Sequence, residues 1–142
     1  KGTEKALSAT WELAQGKLPW LLLYGGVGNG KTRLGFGVAL EFIRAGKRAK
    51  WEYCFSLLKK LREHESIKEL ELIPLLVLDE YLWATPWEGQ QLEALINLRY
   101  IRKLPLLITA NVNLEAIPIP VLSRFKEMGK TVEVTASDQR GR

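Results

Sequence analysis

Gly25-Gly26-Val27-Gly28-Asn29-Gly30-Lys31-Thr32 has the spacing G-x-x-x-x-G-K-[ST], between an apolar run from Leu18 to Tyr24 and a helix-like segment from Arg33 to Ala45. This restricts the chain to few folds, because a buried strand must deliver the loop and a helix must leave it. The four glycines let successive N–H groups point inward at phosphate oxygens, where Cβ atoms would obstruct them. Lys31 reaches the β- and γ-phosphates as a flexible point charge, and the Thr32 hydroxyl is placed to ligate Mg²⁺. The helix opening at Arg33 aims its positive dipole end at the same anion. Gly25 to Arg33 is therefore a candidate nucleotide-binding segment.

The remaining chain alternates strand and helix patterns. A lead-in helix is expected from Thr3 to Gln15, and Trp20-Leu21-Leu22-Leu23-Tyr24 reads as a central parallel strand. Leu34, Val38 and Phe42 mark the helix after the loop, and its Gly35 and Gly37 suggest close backbone packing against the sheet. Ala49, Trp51, Tyr53 and Phe55 alternate with polar residues as a second strand, with Ser56 placed to cap the next helix. Leu75-Leu76-Val77-Leu78 is a third strand, and Leu106-Leu107-Ile108-Thr109-Ala110 a fourth. Thr85-Pro86-Trp87-Glu88 specifies a helix start by cap, first-turn proline and capping box. A short helix from Val121 to Lys126 and a fifth strand from Thr131 to Thr135 complete the series. Such alternation predicts an α/β fold in three layers around a five-stranded, mainly parallel sheet.

The third strand delivers Asp79-Glu80 to its carboxyl end. Asp79 is suited to hold Mg²⁺ opposite Thr32, and Glu80 to orient a water and take its proton. Asn111 ends the fourth strand, where an amide can touch both the water and the γ-phosphate, or simply close a turn. Arg124, in Leu122-Ser123-Arg124-Phe125, reads by spacing as a surface arginine, although an arginine supplied to a neighbouring site could stabilise a transferring phosphoryl group.

Taken together, the loop Gly25 to Thr32, Leu75 to Glu80, Ile96-Asn97-Leu98-Arg99-Tyr100, Leu104 to Asn111, Ser123-Arg124-Phe125 and Asp138-Gln139-Arg140 resemble the AAA+ ATPase domain of DnaC/DnaI-type helicase loaders and IstB transposition helpers. The resemblance covers most of the chain, and the Asn-x-Arg-Tyr block before the Pro-containing strand is its more specific part. It implies ATP and Mg²⁺ as cofactors, Lys31, Glu80 and the sensor Asn111 as catalytic groups, and Arg124 as a finger acting on the next subunit. It also implies an ATP-dependent homo-oligomer, a replicative helicase and single-stranded DNA as partners, and the cytoplasm of a bacterium or a phage host. Arg140 resembles the family's terminal arginine. Tyr81-Leu82 departs from the family's usual aliphatic residue and glycine, and no complete helical lid follows the fifth strand.

At 142 residues, with 46% hydrophobic and 26% charged residues, the chain suits one globular domain, read as a piece of a longer protein. No apolar stretch is long enough to span a bilayer, and the sole cysteine, Cys54, reads as an inert packed thiol of a second strand. A net charge of +5 leans toward polyanions, and Trp83, Trp87 and Tyr100 with Arg99, Arg102 and Lys103 could form a surface for single strands. Three other readings fit the loop: a transposition helper on duplex DNA, a small-molecule P-loop kinase, and a module that binds ATP only to assemble.

Overall fold

A strand that is apolar at every position needs cover on both faces, and two helical layers supply it. The computed structural model describes residues 2–26, 28 and 30–135. Its inner strands are β1 (Trp20–Tyr24), β3 (Leu75–Asp79) and β4 (Leu106–Ala110), while β2 (Ala49–Tyr53) and β5 (Gly129–Glu133) form the edges. The order is β2-β3-β4-β1-β5, and every pair is parallel. Helices α1 (Gly2–Ala14) and α2 (Lys31–Arg44) cover one face, where Leu13, Val38 and Phe42 join Leu21, Leu23 and Val77. Helices α3 (Cys54–Arg62), α4 (Lys68–Leu72), α5 (Pro86–Ile101) and α6 (Ile119–Met128) cover the other, where Leu57, Leu92 and Phe125 join Trp20, Leu76 and Ile108. The expected three-layer α/β core is present, and no described helix is long and apolar enough to cross a membrane.

Several local expectations hold for physical reasons. Thr85 Oγ1 accepts from Glu88 N at 3.2 Å while Glu88 Oε1 accepts from Thr85 N at 3.3 Å, the reciprocal capping box. A Cβ on Gly35 would stand 2.9 Å from Val77 Cγ1, so α2 lies close on β3 there, whereas Gly37 faces open space. Other boundaries move. The second strand ends at Tyr53 and α3 begins at Cys54, with no side-chain cap from Ser56. Cys54 is buried at that helix start, and desolvation pushes its thiol up to about 11, so it is inert as expected but helical. The fifth strand starts at Gly129, where a Cβ would collide with the Trp20 carbonyl across the β1 pairing.

Arg99 corrects the expected basic surface most sharply. Its side chain is fully buried, and the guanidinium donates to the carbonyls of Leu70, Pro74 and Pro105 at 2.8, 3.2 and 2.6 Å. Burial lowers its pKa to about 10, which leaves it charged at neutral pH. Both prolines interrupt regular pairing just before a strand, and Arg99 supplies donors to the carbonyls there. Arg99→Ala should therefore cost about 3–5 kcal/mol, because it leaves buried acceptors without a partner and opens a cavity. Thr85→Ala should cost about 1 kcal/mol. Urea unfolding of both variants checks the order; a smaller loss at Arg99 than at Thr85 would refute its structural role.

Candidate nucleotide site

The phosphate loop leaves β1 and enters α2 at the carboxyl edge of the sheet, as its flanking patterns require. Gly25 N donates to Ala110 O at 3.1 Å, which ties the start of the loop to the end of β4. Gly25 has φ 140°, and a Cβ there would lie 2.6 Å from Val134 O, so glycine is demanded twice. Gly30 precedes α2 in the left-handed region at φ 81°, and Gly28 has φ 79°. Val27 and Asn29 of the loop lie outside the described residues, as does Arg140.

Lys31 is buried, and its Nζ donates to Gly26 O at 2.5 Å across the turn of the loop. Desolvation lowers its pKa, while the charges of Asp79 and Glu80 oppose that shift. Both acids therefore lie within electrostatic reach of the lysine. A bound anion would add to their effect and favour the charged amine.

Asp79 ends β3 almost completely buried. Its carboxylate accepts from Thr32 Oγ1 at 3.0 and 3.2 Å, and from Thr109 Oγ1 at 2.6 Å. Thr109 Oγ1 also accepts from Glu80 N at 2.9 Å, and Thr109 O accepts from Tyr81 N at 2.8 Å. One buried threonine thus fixes both acids relative to β4. Sequence reasoning missed it; the signal was a lone hydroxyl in the strand Leu106-Leu107-Ile108-Thr109-Ala110.

Glu80 has φ 56°, a left-handed conformation that costs a side-chain-bearing residue of order 1 kcal/mol or more. Hydrogen bonds on either side of the turn, donated by Glu80 N and Tyr81 N to Thr109, hold it there. The Glu80 carboxylate accepts from the Tyr53 hydroxyl at 2.9 Å. That bond, followed by the charge of Glu80, raises the pKa of Tyr53 and keeps the phenol a donor. Tyr53, at the end of β2, is a second contact the sequence did not reveal. Asn111 is half-buried directly after β4 and shares a small cavity with Glu80, Tyr81 and Leu82. Lys31, Thr32, Asp79, Glu80 and Asn111 are thus drawn toward the ends of three adjoining strands.

Arg33 and Arg124 lie elsewhere. Arg33 is exposed on α2, beside a shallow groove that also includes Leu7 and Trp11 of α1. Arg124 belongs to α6, in the opposite helical layer from α2. Its Nε and Nη2 donate to Asn97 Oδ1 at 3.0 and 2.8 Å, and its guanidinium lies 4.3 Å from the centroid of the Tyr100 ring. Tyr100 OH in turn donates to the Glu127 carboxylate. The Asn-x-Arg-Tyr block therefore has a physical meaning: Asn97 and Tyr100 position Arg124, while Arg99 is core. Tyr100 and Arg99 do not form the aromatic and basic surface expected with Trp83, Trp87, Arg102 and Lys103.

Thr32 and Asp79 offer a hydroxyl and a carboxylate, the hard oxygen donors that Mg²⁺ takes, so the pair fits that ion. Among the described residues no group of three or more His, Cys, Asp or Glu could hold a metal by protein side chains alone. Such a pair suits an ion that arrives with a nucleotide and keeps phosphate and water ligands.

No family model and no curated protein matches the sequence. Solved structures do match the fold. The DnaC helicase loader has a TM-score of 0.80 at 21% identity, over 94% of this chain and 90% of that one. DnaI has a TM-score of 0.82 at 19% identity, over 99% and 85%. The replication initiator DnaA bound to AMPPCP and single-stranded DNA has a TM-score of 0.77 at 23% identity, over 94% of this chain. The chain spans 46% of that DnaA, and so about half its length. The chain therefore shares with these proteins a three-layer α/β fold around a parallel five-stranded sheet.

Thr109→Val preserves shape but removes the donor to Asp79 and the acceptor for Glu80 N, a change expected to cost about 1–3 kcal/mol. Thr109→Ser should recover most of it. Denaturation of the nucleotide-free protein measures both, and equal stability of the valine and serine variants would remove Thr109 from its organising role.

Proposed function

We propose that this chain is a Mg²⁺-dependent ATP-hydrolysing module of a helicase loader, working in DNA replication. The single observation that carries the reading is Thr109's link between Asp79 and Glu80, beside a phosphate loop whose Thr32 bonds the same Asp79. A loop that only bound nucleotide would need no second carboxylate held in a strained turn. The fold likeness to DnaC and DnaI supports the loader context, and the likeness to a DnaA carrying a nucleotide analogue and single-stranded DNA supports those ligands.

Lys31 and the loop amides of Gly25 to Thr32 bind the phosphates, with Arg33 at the head of the same helix. Thr32 and Asp79 would hold Mg²⁺, which would supply neutralisation of the developing phosphate charge. Asn111 positions a water in line with the γ-phosphorus. Glu80 takes a proton from that water as its oxygen bonds to phosphorus and the bond to the β-phosphate oxygen breaks. Arg124 acts on the site of a neighbouring copy. Its placement on the layer opposite α2, already clamped by Asn97 and Tyr100, suits a group presented outward to another subunit. A replicative helicase, single-stranded DNA and further copies of the chain are the partners this reading requires.

Glu80→Gln should reduce turnover at least about a hundredfold while ATP binding persists. Arg124→Ala should reduce it about a thousandfold. Mixing Arg124→Ala with Lys31→Ala should restore part of the activity, because the second variant contributes its intact arginine to the first variant's intact site. Phosphate release with and without single-stranded DNA, measured across protein concentration, reads all three. Unchanged turnover in the Glu80 variant would remove Glu80 from the role of base, absence of phosphate release from the parent under every condition would end the hydrolytic reading, and failure of the mixture would end action between subunits. A phosphorylated acceptor in place of free phosphate would indicate a kinase.

A further inference from the structure

The edge strand β2 and the helices beside it carry a row of aromatic rings that the nucleotide site does not use. Phe36 of α2 stacks on Trp51 with centroids 4.6 Å apart and planes 13° apart. Trp51 is nearly parallel to Tyr53 at 6.3 Å, and Tyr53 is followed by Phe55 of α3 at 6.5 Å. The alternation of β2 puts Trp51 and Tyr53 on one face, and both are only partly buried. Phe36 is 46% exposed and Phe55 63% exposed. Four rings in succession at a sheet edge, open to solvent, contribute little to the core for the apolar area they present.

Three further observations point to one occupant. First, cations bracket the row: Lys47 and Arg48 are exposed immediately before β2, and Lys59 and Arg62 follow Phe55 on the outer face of α3 at i+4 and i+7. Arg62 is paired with Glu88 and Arg48 lies near Glu69, so Lys47 and Lys59 are the less engaged charges. Second, Tyr53 and Phe55 line a cavity of about 650 Å³, with Trp83 and Arg62 also on its wall, large enough for a planar base. Third, the same cavity reaches Glu80, which Tyr53 holds. Flat rings flanked by positive charge match a strand with unpaired bases and a phosphate backbone. A peptide would need only the apolar part.

We propose that this row is a stacking surface for single-stranded nucleic acid, with bases on Phe55, Tyr53 and the Phe36–Trp51 pair and phosphates along Lys47 and Lys59. It deepens the ATPase reading by naming where the strand lies, and it rests on that reading only for its effect on hydrolysis. A base entering the cavity meets Tyr53 and so touches the hydroxyl that fixes Glu80. Strand binding and hydrolysis then share one hydrogen bond.

The test is fluorescence anisotropy of the full chain with a labelled oligothymidylate of about 20 nucleotides, with and without ATP. Phe55→Ala should weaken binding at least about fivefold, and Lys59→Ala should lower the slope of log K against log salt by about 0.7. Both side chains are exposed, so both variants should melt like the parent. Trp11→Ala, an exposed aromatic on α1 outside that cavity, should change neither measure. Cross-linking of an iodouracil oligonucleotide should map to Phe36 or to residues 47–59. Unchanged affinity in Phe55→Ala, equal affinity for duplex, or cross-links only outside those positions would overturn the proposal. So would the absence of any oligonucleotide binding combined with altered self-association of Phe55→Ala, which would make the row a protein interface. Because the binding arm needs no hydrolysis, a chain that fails to cleave ATP yet loses oligonucleotide affinity in Phe55→Ala would refute the ATPase reading and leave this one standing.

Discussion

A carboxylate sealed among aliphatic strands must be met by hydrogen-bond donors or its burial is costly, and the fold is organised around meeting that demand for Asp79. Thr32 and Thr109 each give it a hydroxyl, and in doing so they join the head of α2, the end of β3 and the end of β4. Lys31 sits close enough for its own ionisation to respond to the same charge. The loop, both acids and the strand leading to Asn111 therefore have one relative placement. The left-handed turn at Glu80 persists because hydrogen bonds from Glu80 N and Tyr81 N to Thr109 hold it on both sides.

Much of this was legible in the residues because neighbouring positions carry it. The loop between an apolar run and a helix, the purely aliphatic β3 and β4, and the Thr85 to Glu88 capping box are local patterns, and each forms where it is written. What escaped depends on contacts between distant segments. The alternation through Phe55 predicts a longer strand, yet burial of Cys54, Leu57 and Leu58 against the core turns the chain into a helix one residue after Tyr53. The fifth strand slips toward Gly129 because only a residue without Cβ can lie against the Trp20 carbonyl. Thr109 and Tyr53 look like ordinary strand residues until β3 is placed between β2 and β4. Arg99 looked like one of several surface cations, since nothing local announces three carbonyls waiting in the core.

The Asn97 to Tyr100 segment shows how a short motif can serve two purposes on one helix. Arg99 points inward and secures α4 and the approach to β4, while Asn97 and Tyr100 hold the arginine of α6. Positions three and four apart share a helix face, whereas the intervening residue is turned away. A change at Tyr100 would alter what α6 presents, and a change at Arg99 would loosen the platform beneath it.

The close approach of Gly25 to Val134 gives the phosphate loop a mechanical neighbour. Val134 N donates to Tyr24 O at 2.8 Å, and Val134 O occupies the space a Cβ on Gly25 would need. The backbone just past β5 is thereby geared to the first hinge of the loop. Because Val134 is itself buried in the core on the α1–α2 side, any displacement of the backbone there would disturb the start of the anion cradle and that core together.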